Sequence, residues 1–235
     1  MSSFDPNDPK IAVALTELSR DLPDRVRIRR SNGGDDPFSA NAAEDKFDGF
    51  TCPAQTGKVK NCQHCGACFS IDKNVNFINH SYCVREDHDC MINATTIFQK
   101  SIKHASEVKK VLQPGNDKLG KKVEVGRKDW LGAKMLCLSL TERATCPKSC
   151  RHWRDCYGNN LHLSNRIMTD GLMEALEAEI SALNPKKKFA IRLHIIGDFW
   201  SVEYVEFWRR MLETYPNIMI WGFTAHEIDT SHLSK

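Results

Sequence analysis

Apolar residues Ile11, Leu15, Leu18 and Leu22 recur at helical spacing, which predicts an amphipathic helix over 11–22, with Asp8 as its cap and Pro9 in its first turn. After the breaker Pro23, the alternation Arg27, Ile28, Arg29 predicts a strand over 25–31. A polar, glycine-bearing stretch then runs to about Gly49, and 52–90 reads as cysteine-rich loop. Phe98, Ile102, Ala105, Val108 and Leu112 share one side of an expected helix over 93–113, stopped by Pro114-Gly115 and followed by a basic linker, Asn116 to Arg127. Met135 to Leu140 is a short buried strand. A helical region over 160–184 carries Leu172, Leu176, Ile180 and Leu183, with a break at Asp170-Gly171 and a stop at Asn184-Pro185. Residues 189–196 form the next strand, Gly197-Asp198-Phe199-Trp200 its exit loop, and Ser201 the N-cap of a helix over 202–215. A last strand covers 218–224.

Strands alternating with helices at these lengths imply βαβ units. The expected fold is α/β: a small parallel sheet, resembling part of a barrel, with helices outside and cysteine-rich loops over the carboxyl edge of the strands. Ligands gather at that edge in parallel sheets. Cys146, Cys150 and Cys156 follow one strand, Gly197 and Asp198 a second, His226 and Glu227 a third, and the Cys52–Cys68 group a fourth. If the four strands are parallel in one sheet, all these features share one rim.

Composition narrows the classes. With 235 residues and 41% hydrophobic content the chain can bury a core as a single domain. A net charge of +3 does not by itself argue for nucleic acid. No apolar run reaches the ~20 residues of a membrane span, and no leader pattern is visible, so the expected location is cytoplasmic, without a membrane partner. In a reducing compartment, clustered cysteines are metal ligands more often than disulfides, and the chain has 10.

Cys52, Cys62, Cys65 and Cys68 stand as C-x9-C-x2-C-x2-C, and consecutive x2 gaps match loops that wrap an iron–sulfur cubane. A structural four-cysteine zinc site is the alternative. Cys146, Cys150 and Cys156 stand as C-x3-C-x5-C, and three ligands leave a coordination position open. Cys83, His88 and Cys90 make a looser set that reads best as surface loop, and Cys137 reads as a buried small hydrophobe. Gly197-Asp198 suits either a cationic or hydroxyl-bearing ligand or a simple turn into the helix. Arg192 and His194, two apart, are expected on one face of their strand, lining a cavity. Arg25, Arg27, Arg29 and Arg30 form a basic strand that could meet phosphate, and with Trp153 and Tyr157 they keep nucleic acid open as a partner.

Leu138 to Asn160, with its three cysteines, resembles the phage and bacterial gene product 88 family. So do Arg192-Leu-His194-Ile-Ile-Gly197-Asp198-Phe199, Gly222-Phe-Thr-Ala225, the Cys52–Cys68 block and Phe77-Ile-Asn-His80. The blocks stand here in a different order: 1–80 matches the family's C-terminal part, 128–235 its N-terminal part, and 81–127 forms the junction. The chain is therefore read as a circular permutant, with Lys235 expected within ~20 Å, several extended residues, of Lys10. The family's layout is similar to that of radical S-adenosylmethionine proteins, whose usual triplet is C-x3-C-x2-C; here the second gap is five residues. The resemblance implies a radical-type iron–sulfur enzyme in which Cys146, Cys150 and Cys156 hold a catalytic 4Fe-4S cluster with S-adenosylmethionine. Cys52, Cys62, Cys65 and Cys68 would hold an auxiliary cluster, and Asp198, Gly197, Arg192 and His194 would face a small molecule. A zinc-stabilised nucleic-acid-binding module and a non-catalytic electron carrier are the competing expectations. Substrate and oligomeric state are not readable.

Overall fold

The computed structural model describes residues 4–30, 49–51, 58–59, 74–76, 96, 98–116, 119–124, 128–150, 156–161 and 163–229. In chain order these form helix α1 (Lys10–Asp21), strands β1 (Val26–Arg30), β2 (Gly49–Thr51), β3 (Asn74–Asn76), β4 (Ile102–Lys103), β5 (Gln113–Pro114), β6 (Lys134–Cys137) and β7 (Arg166–Ile167), helix α2 (Leu172–Ser181), strand β8 (Phe189–Leu193), helix α3 (Val202–Thr214) and strand β9 (Ile218–Thr224).

The principal sheet has the order β1-β9-β8-β6-β5. Its four main strands are mutually parallel, and only the two-residue edge strand β5 runs antiparallel. The expected α/β class and parallel sheet are therefore correct. Across the sheet β6, β8 and β9 follow chain order, and β1, the first strand of the chain, comes after β9. Beyond β9, the Asp229 amide donates to Thr16 Oγ1 of α1 at 3.1 Å.

Alternation along the strands separates two faces. Val26 and Ile28 of β1, Leu136 of β6, Ile191 and Leu193 of β8, and Ile218 and Ile220 of β9 meet the helices in the larger core. There α3 contributes Tyr204, Val205, Phe207, Trp208, Met211 and Leu212, all buried, each worth about 1.5–3 kcal/mol of apolar transfer. Met135, Cys137, Ala190, Met219 and Trp221 point to the other face, packed against Leu119, Val123, Trp130 and Ala133. Cys137 is the buried small hydrophobe its apolar context implied, and burial pushes its thiol up to about 11.

Local signals explain the element ends. Ser201 Oγ accepts the Tyr204 amide at 3.2 Å and caps α3, and Asp8 Oδ1 accepts the Lys10 amide at 2.9 Å before α1. Two expected helices are corrected. Within 98–113 the chain makes single 3-10 turns at Gln99–Ser101 and Ala105–Glu107 around β4, because tertiary partners claim its groups. Glu179 of α2 accepts the amides of Val111 (2.5 Å) and Leu112 (3.1 Å), and β4 pairs with β7. The region 160–184 is helical only over α2. Its first part is β7, and Gly171 at φ +65° supplies the left-handed turn into the helix.

Candidate metal centre at the carboxyl edge

The chain leaves β6, forms one bridge between Leu140 and Ile167, and turns into the segment that carries the triplet. A buried ion pair organises this turn. Arg166 Nε meets Glu142 Oε2 at 2.8 Å with both side chains at 0% exposure. The other nitrogens of Arg166 reach Ser101 Oγ (2.9 Å) and the carbonyls of Leu161, Ser164 and Gly158 (3.0, 3.0 and 2.8 Å). Thr96 Oγ1 donates to Glu142 Oε1 at 2.5 Å. The guanidinium also stacks on Phe98, 4.9 Å from the ring centre. Neither Glu142 nor Arg166 was singled out from sequence, although a charged pair flanked by Leu140 and Ile167 in apolar strand ends was the available signal.

Cys146 Sγ stands in a turn closed by its amide on the Arg143 carbonyl (3.2 Å), and the Cys150 amide closes another on the Pro147 carbonyl (3.0 Å). Arg143 takes the left-handed conformation at φ 63° and donates to Asn159 Oδ1 at 2.8 Å, which ties the start of this loop to its end. Cys156 precedes the 3-10 turn Tyr157–Asn160, and its Sγ accepts the Gly158 amide at 3.4 Å. Gly158 is required here, since a Cβ would lie 2.8 Å from Glu142 Oε1.

Cys146 feels both other thiols. Burial pushes Cys146 well up, and the negative charge of Asp198 and ionised Cys150 and Cys156 pushes it further, against a backbone hydrogen bond from Arg143. Burial pushes Cys156 up to about 11, with Arg143 and Arg166 opposing and Glu142 assisting. Three thiols that repel one another as anions are a donor set for a soft cationic centre, whose charge reverses the repulsion and favours the thiolates. Among the described residues no group of three His, Cys, Asp or Glu side chains has converged to coordination distance. Residues 151–155, including His152 and Trp153, and Cys52, Cys62, Cys65, Cys68, Cys83, His88 and Cys90 lie outside the described residues.

Asp198 ties two strand ends together beside this loop. Its Oδ1 accepts the Phe199 amide (2.8 Å) and the Thr224 hydroxyl (2.7 Å), and Oδ2 accepts the Ala225 amide (2.7 Å). The Asp198 amide donates to Thr145 Oγ1 (3.1 Å), one residue before Cys146. Burial pushes the Asp198 carboxyl up, while neighbouring His226 and the three donors pull it down. Gly197 is at φ +87°, and a Cβ there would meet Leu140 Cβ at 2.6 Å and Thr145 Oγ1 at 2.7 Å. The rim features after β6, β8 and β9 are thus in one place, as the parallel sheet required. His226 Nε2 bonds the Phe199 carbonyl at 2.8 Å, and Glu227 is exposed.

Arg192 and His194 do not share a face. β8 ends at Leu193, and the bend that follows cancels the two-residue alternation on which that expectation rested. His194 turns toward the helices. Its Nε2 lies 3.1 Å from Tyr204 Oη, its ring packs edge-on against Phe199, and burial drives it down to about 3, which makes it a neutral core group. Arg192 lies on the opposite face over the rings of Trp221 (5.0 Å) and Phe223 (5.9 Å). In the basic strand, Arg27 (7% exposed) and Arg29 (1%) are interior, while Arg25 donates to the Tyr215 carbonyl at 3.2 Å.

Among the described residues no helix is long and apolar enough to cross a membrane. A family model described as Gene product 88 matches residues 106–232, more than half of the chain, and spans the triplet, Gly197-Asp198 and β9. Comparison with curated proteins and with solved structures gives no match.

Proposed function

The chain belongs to the gene product 88 family, and on that premise we propose that it is an iron–sulfur protein whose catalytic cluster is held by Cys146, Cys150 and Cys156. The observation that carries the proposal is the placement of three half-buried thiols in one loop at the carboxyl edge of a parallel sheet, tied to Asp198 through Thr145. Three thiolates leave one iron free to bind and activate a further ligand, and that is the chemistry the group supplies when bound. The chain's own residues do the positioning. The Glu142–Arg166 pair fixes both ends of the thiol loop. Asp198 locks the exits of β8 and β9 to each other and, through Thr145, to Cys146.

In this reading Arg192, on the sheet face away from the helices, belongs to the substrate side, and His194 supports the fold. Cys52, Cys62, Cys65 and Cys68 hold a second, auxiliary cluster, and S-adenosylmethionine is the further ligand that the radical-type layout implies. The same premise carries a reordered chain, supported by β1 following β9 in the sheet, by the Asp229–Thr16 bond and by a family match that starts at residue 106. Protein purified without oxygen should be brown, with a broad visible band that bleaches on reduction. A colourless protein carrying stoichiometric zinc would overturn the proposal.

A further inference from the structure

The sheet face turned away from the helices has an unusual row. Cys137 of β6 pairs in register with Arg192 of β8, Arg192 with Trp221 of β9, and Trp221 with Arg27 of β1; Arg29 pairs with Phe223 one step further on. Cations and aromatic rings therefore alternate across three strands, β8, β9 and β1, with Cys137 of β6 at the end of the row. None of the described residues that the principal strands point to this face is acidic.

Arg192 differs from the other two arginines. Arg27 and Arg29 are engaged with partners of their own. Arg192 is half-buried where they are buried, it lies over Trp221 and Phe223, and its Nε, like that of Arg27, is buried with no hydrogen-bond partner. Ring stacking occupies the face of a guanidinium and leaves its edge, the donor fork, for a planar or tetrahedral oxyanion. A phosphate, with more oxygens and more charge than a carboxylate, is the stronger partner for such a fork. Arg27 and Arg29 lie on the same face. At 7% and 1% exposure they cannot meet the backbone of a polymer, which leaves a small molecule.

We infer that this face binds a small phosphate ester, with the Arg192 fork on its phosphate and Trp221 and Phe223 holding the fork in place. The inference rests on the reading of Arg192 as the substrate side and names the class of that substrate. The test is calorimetric titration of inorganic phosphate into the full chain at constant ionic strength. Sodium acetate and a single-stranded oligonucleotide serve as separate arms, and iron is counted on the same samples. Phosphate should bind saturably, acetate at least tenfold more weakly. Arg192→Gln should weaken phosphate at least tenfold, and Arg192→Lys by a smaller factor, because an ammonium keeps the charge and loses the fork.

Unchanged phosphate affinity in Arg192→Gln, or equal response to acetate, overturns the assignment. If the Gln variant does not fold, wild-type affinity in Arg192→Lys overturns it instead. Oligonucleotide binding that Arg192→Gln abolishes replaces the small molecule with a nucleic acid. Loss of phosphate binding with iron retained counts against this inference alone, and phosphate binding in iron-free protein counts against the cluster alone.

Discussion

Replacing Arg166 by methionine removes a cation that is wholly buried and leaves Glu142, at 0% exposure, with Thr96 as its remaining donor. Breaking a buried pair from one side costs about 3–5 kcal/mol, most of it the stranded charge. The carbonyls of Leu161, Ser164 and Gly158 lose the guanidinium as well, although Gly158 and Leu161 keep the amides of Leu161 and Ser164 as donors. For a chain of this length each kcal/mol lowers Tm by about 2–4 °C, so Arg166→Met should melt roughly 6–20 °C below wild type. The Glu142→Gln/Arg166→Met double variant removes the stranded charge and should recover about 1 kcal/mol or more of that loss. Urea unfolding followed by circular dichroism gives both numbers. An Arg166→Met midpoint within about 1 kcal/mol of wild type, or a double variant no better than the single one, would refute the claim that this pair holds the thiol loop.

Three further outcomes follow from the geometry. His194 stays neutral in the fold down to about pH 3, while an unfolded histidine takes a proton near 6.5. The unfolded state thus binds more protons across that window, and stability should fall on acidification below about pH 6.5 by up to ~1.4 kcal/mol per pH unit; His194→Phe, measured by urea unfolding at several pH values, should flatten this slope. Gly222→Ala would place a Cβ 1.2 Å from the Leu193 carbonyl oxygen, so the variant should appear in the insoluble fraction, whereas soluble protein with the wild-type melt would contradict the β8–β9 packing. A reordered gene that starts before residue 106 and joins Lys235 to Met1 should give protein with the same far-ultraviolet spectrum and a Tm within a few degrees, and failure to fold would remove the permutation reading.

The elements nearest the site were the most legible. β9 matches its expected span, and α3 has both a strong apolar stripe and a serine that caps it as expected. Parallel pairing followed from the alternation of strands with helices, and with it the gathering of the Cys146 turn, Asp198 and His226 on one rim. The stretch 93–113 misled because Phe98, Ala105 and Leu112 keep helical spacing for unrelated reasons: one stacks on Arg166, one is in the core beneath α2, and the backbone of the third is held by Glu179. Arg192 and His194 misled because alternation predicts a shared face only while a strand continues, and β8 ends between them. The Glu142–Arg166 pair was missed because its members are 24 residues apart, and the apolar neighbours Leu140 and Ile167 mark each as near the interior without showing that the two meet.

Iron and acid-labile sulfide counted per chain, in wild type and in Cys150→Ser purified side by side without oxygen, tests the central claim most directly. Wild type should carry both in equal amounts, and the serine variant should lose one cluster's worth while Cys137→Ser loses none. Equal iron in wild type and Cys150→Ser, or zinc in place of iron in both, would contradict a cluster held by the triplet.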